Sequence, residues 1–571
     1  MHLRPYQERF FSAVREAKER GVNRQLGVLA TGLGKACLFA ALRTQLGFRK
    51  KIMVLVHREE LAAQAKDKLK RWNPDLRVGV EMAGQCANVD GIFPDDFVVA
   101  SVPTLGRKNS DRIRKFLPQD FSAIVSDEVH HAIAPQWKNV LAHFELLNPC
   151  ETDILSLGLT ATPNRSDGQG LRLLFDEIVF NMPIMRSVDG TPGGIDTGYL
   201  SDILPLRIDG GAELDSVHSR AGDLAEDELA DAVNTPKRNA VIVKEWMKHC
   251  FDQKTIVFTV DVQHALDLAE AFKAHVVAAE AIWGEDPLRH QKLADHRTGK
   301  IKVLCNCAVL TEGYDDWDVR CIIMARPTKS ALLYTQMMGR GTRIPPDISN
   351  LLEARRDGVL IQKDSFVLMD VVDNCGRHKG ALQTLPSLLG MPANLDLKGK
   401  SVMRAKEQCD RIAAEFPTAN IQDIKSLDQL KSIAENIQLF TVNYPPEISK
   451  LSELAWRKSA EGYVLAVNRD LVTIMQDLRG DWVVRGRIGE KQAEISAQNM
   501  PGAFNAADRF ILESGGVKGY LVRDARWKQD SPTPAQLRLC RTLKINVPPG
   551  ATKGMVSAAI DQVYMKRRAR A

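Results

Sequence analysis

No apolar run in the 571 residues approaches the roughly 18 that a bilayer-crossing helix needs, which excludes a membrane-spanning class and a membrane partner. The opening Met1-His2-Leu3-Arg4 lacks the apolar core of a secretory signal. The ten cysteines are scattered, and only Cys305 and Cys307 lie close together, in a run that reads as a strand. No zinc-type spacing stands out, so reduced thiols in a cytoplasmic setting are expected. Strong net charge is also missing, at +6, but its distribution is uneven. From Val517 onward, twelve Lys or Arg stand against three Asp or Glu. Such a tail suits a phosphate backbone; a solubilising tail has the same composition. With 44% hydrophobic and 26% charged residues the chain is ordinary globular protein, long enough for about three or four domains.

What is present begins with a phosphate-loop candidate. The apolar run Leu26–Leu29 precedes Ala30-Thr31-Gly32-Leu33-Gly34-Lys35-Ala36, and an Ala- and Leu-rich segment follows. Strand, Gly-rich turn and helix in that order aim backbone N–H groups and a helix N-terminus at an anion. Gly32 and Gly34 let phosphates approach the backbone, and Lys35 would reach the β- and γ-phosphates. Two letters of the general pattern are absent. Leu29 stands where the first Gly belongs, and Ala36 stands where a Ser or Thr hydroxyl would bind Mg²⁺. Ahead of the loop, Arg4, Tyr6 and Gln7 precede an amphipathic helix over about 8–20. Gln7 suits paired hydrogen bonds to an adenine edge, with Tyr6 stacked nearby.

Beyond the loop, apolar runs Ile52–Val56, Phe97–Ala100, Ala123–Val125 and Ile154–Leu159 alternate with helical segments and read as buried parallel strands. Each ends in a polar cluster: His57-Arg58-Glu59-Glu60, Ser101-Val102-Pro103-Thr104, Ser126-Asp127-Glu128-Val129-His130 and Thr160-Ala161-Thr162. Ligands collect at that edge of open α/β sheets. Asp127 suits Mg²⁺ held through its water shell, and Glu128 suits orienting and deprotonating an attacking water. A second α/β half follows a loop-rich stretch at Ser187–Asp196. Its strands are Thr255–Phe258, Ile301–Cys305 and Cys321–Met324, followed by Gln336-Met337-Met338-Gly339-Arg340-Gly341-Thr342-Arg343. Two Arg three apart on a helix face one side, and guanidinium forks suit a transferring phosphoryl group.

Taken together, these motifs over about residues 1–385 resemble a superfamily 2 DExH-box helicase, with Asp127-Glu128-Val129-His130 as the box. Thr162-Pro163-Asn164-Arg165-Ser166-Asp167-Gly168, Leu310-Thr311-Glu312-Gly313-Tyr314-Asp315 and Asp373-Asn374-Cys375-Gly376-Arg377-His378 resemble the bacterial RadD-type and XPB-like DNA helicases. The zinc module of RadD proteins is not carried over, since Cys409 and Cys540 stand alone. The resemblance implies two tandem RecA-like parallel-sheet domains that use ATP and Mg²⁺. In it Lys35, Asp127, Glu128, Gln336, Arg340 and Arg343 are catalytic, with Asp127 on the metal. Arg4, Tyr6, Gln7, Thr31, Gly32, Leu33, Gly34, Ala36, Gly313 and Asp315 would complete the nucleotide site. Arg58, Ser101, Thr104 and Thr311 lie where the family grips nucleic acid, and His130, Thr160 and Thr162 where it couples the domains. DNA is the expected partner, and the Asp-Glu-Val-His box argues against the RNA-specific branch. A nuclease or repair partner and a bacterial or phage-type cytoplasm complete the expectation.

In the last third, the segment from Lys398 to about Leu439 is helical and mixed in charge. Short β-type runs from Ala455 to Ile495 are punctuated by Asn468-Arg469-Asp470 and Arg479-Gly480-Asp481 and read as an antiparallel meander. A helix near Ala503–Glu513 closes it. Ser531 or Thr533 starts another through Leu543, and Thr552-Lys553-Gly554 a third into the basic end. Trp527, with Lys528 beside it, would stack on a base or anchor the local core. The expected fold is α/β, with RecA-like domains at 1–190 and 191–385. A helical connector at 386–450 and a C-terminal α+β accessory region at 451–571 complete it. The expected function is an ATP-dependent DNA helicase or translocase in DNA repair, recombination or phage or plasmid metabolism. Ala36 leaves open a catalytically weakened nucleic-acid-binding protein, and the same motifs suit the motor of a restriction or defence complex.

Overall fold

The computed structural model describes residues 2–568 apart from 91, 109, 130–133, 148–151, 162–170, 188, 221, 312, 375–377, 379–380, 416–423, 430–446, 449, 460–461, 468–469, 478–479, 517, 524, 544, 546 and 548–549. The chain divides into two compact units, Met1–Lys406 and Glu407–Ala571.

The first unit holds two parallel sheets. Strands β1 (Arg24–Leu29), β2 (Lys51–Val56), β3 (Val78–Glu81), β4 (Phe97–Ser101), β5 (Phe121–Ser126), β6 (Leu155–Thr160) and β7 (Glu177–Met182) build one, in the order β3-β4-β2-β5-β6-β1-β7. Every residue of β1, β4 and β6 is buried, as befits strands covered on both faces. Met53, Leu55, Val98 and Ile124 join Trp137, Val140 and Phe144 in one core cluster. Helix α1 (Pro5–Glu19) starts with Pro at its first position, where the missing N–H costs nothing. Gly34, at φ +70°, precedes α2 (Lys35–Leu46), and α3 (Glu59–Trp72) follows β2.

The second sheet comprises β8 (Asp202–Glu213), β11 (Thr255–Phe258), β12 (Ala279–Ile282), β13 (Val303–Asn306), β14 (Cys321–Met324) and β15 (Ser365–Asn374). Its order is β12-β13-β11-β14-β15-β8, all parallel, with the two-stranded ribbon β9 (Ser219–Arg220) and β10 (Asp223–Leu224) apart. Pro205 and Gly210 lie within β8, which is an edge strand, where a missing N–H is tolerated. Asp373 of β15 takes a two-pronged ion pair from the fully buried Arg238, at 3.0 and 2.8 Å, and a backbone N–H from Ala212 of β8 at 3.2 Å. The guanidinium and the Ala212 N–H together supply three donors to the one buried carboxylate, which offsets the cost of burying its charge.

The second unit is α+β. Strands β16 (Arg457–Ser459), β17 (Gly462–Val467), β18 (Asp470–Gln476), β19 (Trp482–Ile488) and β20 (Lys491–Ala497) form an antiparallel meander in sequence order. The helix Met500–Glu513 closes one face, with Phe504, Ala507 and Ile511 against Trp456, Leu465 and Ile474. Helices Pro534–Leu543 and Lys553–Arg568 share a smaller core around Cys540, Val556 and Ala559. Most of the expected helical connector between 416 and 446 lies outside the described residues; Val402–Glu415 is its described helix. Two parallel-sheet α/β halves and an antiparallel C-terminal region match the expected fold class. Among the described residues no helix is long and apolar enough to cross a membrane.

Candidate nucleotide and nucleic-acid site

The C-terminal edge of the first sheet gathers the charged residues. Gly32 (φ +95°) and Gly34 (φ +70°) carry the chain from β1 into α2 in conformations that L side chains resist. Lys35, the first residue of α2, places Nζ 3.2 Å from Glu128 Oε1, both side chains about a tenth exposed. Glu128 sits at φ +48°, a left-handed backbone that costs a non-glycine residue about 1–2 kcal/mol. Its N–H donates to Asp127 Oδ1 at 3.0 Å, and the Asp127 N–H donates to Leu55 O at 3.1 Å, so the turn is held from below. The N-terminal residues brace the same loop. Tyr6 is fully buried, its hydroxyl donating to Leu33 O at 2.6 Å and its ring 4.6 Å from that of Tyr199. Burial pushes its phenol pKa up. Gln7 Oε1 accepts the Arg4 N–H at 3.0 Å, and the Arg4 guanidinium donates to Ile348 O at 3.3 Å.

The second half meets this loop directly. Thr342 Oγ1 donates to Thr31 O at 3.2 Å, and a Cβ on Gly32 would lie 2.8 Å from that hydroxyl. A Cβ on Gly339 would lie 2.5 Å from Thr31 Cβ, so two glycines permit the approach. The helix Ala331–Met338 carries Gln336, which is buried, and ends where the arginine segment begins. Arg343 forms an ion pair with Asp315. Its surroundings lower the guanidinium pKa to about 10, chiefly by burial, so it stays charged at neutral pH. Arg340 goes elsewhere: its Nη1 donates to Tyr314 O at 2.9 Å and its Nη2 to Thr311 O at 2.8 Å. It therefore holds the Ala308–Asp315 loop by its backbone. From the first half, Arg58 donates to Ala308 O at 3.4 Å and Gln64 of α3 donates to Gly313 O.

Among the remaining expected residues, Ser101 and Thr160 end β4 and β6 and are buried, and Thr104 lies in the short helix Val102–Leu105. Thr311 is buried with its hydroxyl on Ala308 O at 3.3 Å, while Ala36 presents only a methyl in the first turn of α2. His130 and Thr162 lie outside the described residues. Trp527 and Lys528 belong to the second unit. The indole N–H donates to Gly519 O at 3.2 Å, and the ammonium groups of Lys528 and Lys553 lie 5.9 and 5.5 Å from the ring centre. Gln64 and Tyr199 carried no motif signal of their own: their partners are a backbone carbonyl and another ring.

Mg²⁺ fits this edge in part. Asp127 is a carboxylate at the right strand end, held by Leu55 O and by the Glu128 N–H, but Ala36 offers no oxygen, so water would have to fill that position.

Three family models match the chain in order: "Type III restriction enzyme, res subunit" over residues 1–165, "Helicase conserved C-terminal domain" over 237–345, and "Mitochondrial helicase Irc3, C-terminal domain" over 427–570. A candidate mitochondrial ATP-dependent helicase, irc3, of Schizosaccharomyces pombe is 29% identical over 570 residues, covering 95% of this chain and 86% of its own. A candidate ATP-dependent helicase, IRC3, of Saccharomyces cerevisiae is 33% identical over 357 residues, covering 60% of this chain and 49% of its own. A fragment of a type I restriction enzyme HsdR subunit from Vibrio vulnificus aligns at 20% identity with a TM-score of 0.48, covering 70% of each chain. The bacterial or phage-type cytoplasmic setting does not hold. The model over the last third and the fission yeast relative are both described as mitochondrial helicases. With a restriction-subunit model over the first parallel sheet and a helicase C-terminal-domain model over much of the second, and with Lys35, Glu128 and the arginine segment at the facing edges, the chain is similar to ATP-dependent helicases.

Proposed function

We propose that the chain is an ATP-dependent DNA translocase or helicase, with ATP as the substrate held between the two parallel-sheet halves. The observation that carries this reading is the Lys35–Glu128 pair at 3.2 Å, beneath a loop that the arginine segment touches. Nucleotide entry would draw Lys35 onto the β- and γ-phosphates and release Glu128 to take a proton from the attacking water. Mg²⁺ at Asp127 would neutralise charge on the phosphate oxygens when bound. Arg343 would exchange Asp315 for the transferring phosphoryl group, and Arg340 would hold the loop that presents Thr311. Arg58, Ser101, Thr104 and Thr311 would grip the nucleic-acid backbone, contacts that are salt-sensitive and blind to sequence. DNA is favoured over RNA by the Asp-Glu-Val-His box and by the RadD-like and XPB-like motifs. A nuclease or repair partner belongs to the same proposal, supported by the restriction-subunit description of the N-terminal model. Glu128→Gln should lower DNA-stimulated ATP turnover by about a thousandfold. Unchanged turnover would overturn the site assignment.

Ala36 supports a second reading, in which the chain binds nucleic acid and nucleotide but hydrolyses weakly. Ala36→Thr separates the two. A gain of about tenfold or more in turnover favours the weakened protein, and equal rates favour a tolerated methyl.

A further inference from the structure

Behind the arginine segment lies a lysine that the chemistry above does not use. Lys363 stands two residues before β15 and is 2% exposed. Its Nζ donates to three backbone carbonyls: Gly341 O at 2.7 Å, Trp317 O at 2.8 Å and Arg343 O at 2.9 Å. An ammonium has three N–H groups and no acceptor, so three carbonyls use all of it. The Phe366 ring flanks it at 5.9 Å. The charged groups around it are Asp316 and Asp318, which favour its charge, and Arg320 and Arg343, which oppose it.

Those three carbonyls belong to two different loops. Trp317 follows the loop that starts at Ala308 and carries Thr311, while Gly341 and Arg343 belong to the arginine segment. Arg340 already makes one joint between them, through Thr311 O and Tyr314 O. We infer that Lys363 is a positioning residue: it fixes the backbone behind Arg343 and joins it to the loop that carries Thr311. The inference rests on the ATP-driven reading above. It adds a physical link by which a nucleic-acid contact at Thr311 is felt at Arg343.

The link is sensitive to protonation. Burial lowers the pKa of Lys363 to about 7. The neutral amine keeps two N–H groups and turns a lone pair toward the third carbonyl, so one of the three joints is lost. Stability runs the other way. Because the pKa falls on folding from its ordinary value of 10.5, the unfolded chain binds more protons between about 7 and 10.5. This group's contribution to stability therefore rises with pH across that window. Turnover that falls with rising pH, while this term favours the fold, separates positioning from mere structural support.

The test uses the full chain, saturating duplex or single-stranded DNA, and pH 6 to 9. Wild-type kcat should fall by about threefold as pH rises through about 7. Lys363→Arg, whose guanidinium stays charged, should lose that limb of the profile. Lys363→Met should lower kcat by about tenfold with the ATP KM moved less than about threefold, and should raise the DNA concentration for half-stimulation. In parallel, amide hydrogen exchange at pH 6.5 should quicken over 339–343 in Lys363→Met but not in Lys363→Arg. Superimposed pH profiles for wild type and Lys363→Arg, or unchanged exchange in Lys363→Met, overturn the inference. Lys35→Ala is the control for the underlying reading. If it leaves turnover intact, the ATPase reading fails, and the exchange arm alone decides on Lys363. If Lys363→Met does not fold, the wild-type and Lys363→Arg profiles decide.

Discussion

Lys35 in the first parallel-sheet half of the first unit and Arg340 and Lys363 in the second are held in opposite ways. In the first half, Lys35 faces a carboxylate, Glu128, at an open strand edge. In the second, Arg340 and Lys363 give their N–H groups to the carbonyls of Thr311, Tyr314, Trp317, Gly341 and Arg343. An ion pair at an edge can be handed over to a phosphate. Hydrogen bonds to backbone cannot be handed over without loosening the loops they hold. On the proposed reading, the first half supplies an ion pair that chemistry would use, and in the second Arg340 and Lys363 hold the backbone around Arg343 as a frame. The sharpest way to break this comparison is Lys35→Ala. It should lower ATP turnover by about a thousandfold while the thermal midpoint stays within about two degrees of wild type. A collapse of stability with Lys35→Ala would place it in the frame instead.

The next test sets the two arginines against each other. Arg343→Ala and Arg340→Ala should each lower turnover by about a hundredfold. Only Arg340→Ala should also destabilise, since it leaves two buried carbonyls without donors at about 1–3 kcal/mol each. Denaturant unfolding of the two variants measures the difference, and equal stabilities would dissolve the distinction. A smaller effect is expected from Gly32→Ala, which puts a Cβ 2.8 Å from Thr342 Oγ1 at a φ of +95°. Strain and a blocked approach of the halves should lower turnover by about tenfold, with more of the loss in kcat than in KM.

Much of this arrangement was legible in the sequence, for a physical reason. Parallel strands buried on both faces read as continuous apolar runs, so Lys51–Val56, Phe97–Ser101, Phe121–Ser126 and Leu155–Thr160 lie within a residue or two of the expected strands. The polar letters after each run then fall on the ligand-binding edge. The meander and its closing helix were legible from period-two runs and turn residues in the same way. Strand β8 was not, because Pro205 and Gly210-Gly211 look like loop and only its edge position makes them acceptable. The frame was not legible either. Arg340 reads as a second phosphate-facing arginine, yet its guanidinium is aimed at Thr311 O and Tyr314 O. Lys363 and Gln64 bind carbonyls, which every residue has, so no pattern of side chains marks them. The setting was misread for a different reason: the nucleotide-site motifs carry no mark of compartment, whereas the family model over 427–570 and the fission yeast relative are described as mitochondrial helicases.

Arg58 stands between the two modes. It comes from the first half, yet it donates to Ala308 O in the second. Its exposure leaves it able to exchange that carbonyl for a phosphate. Arg58→Ala should raise the DNA concentration for half-stimulation by about threefold and reduce the salt slope by about one. A variant with an unchanged salt slope would assign Arg58 to the frame.

The smallest effect is expected in the second unit, where a half-buried acid supplies the counterpart to Lys363. Asp561 lies 3.7 Å from Arg457, whose Nη1 also donates to Ala558 O at 3.2 Å. Burial raises the Asp561 pKa to about 6, against the lowering pull of Arg457 and Lys528. The folded chain therefore binds more protons than the unfolded one between about 4 and 6. This group's contribution is complete below its unfolded pKa and is lost as pH rises through about 6. Lys363 has the reverse sign and a higher window, so the two titrations do not overlap. Asp561 is about a third exposed at its side chain, and solvent screening keeps its share small. Comparing thermal midpoints of wild type and Asp561→Asn at pH 4.5 and 6.5 isolates it. The wild type should lose stability relative to Asp561→Asn over that interval, with ATP turnover unaffected at either pH. A relative gain would mean that Arg457 holds the carboxylate charged, and that the ion pair outweighs burial at this position.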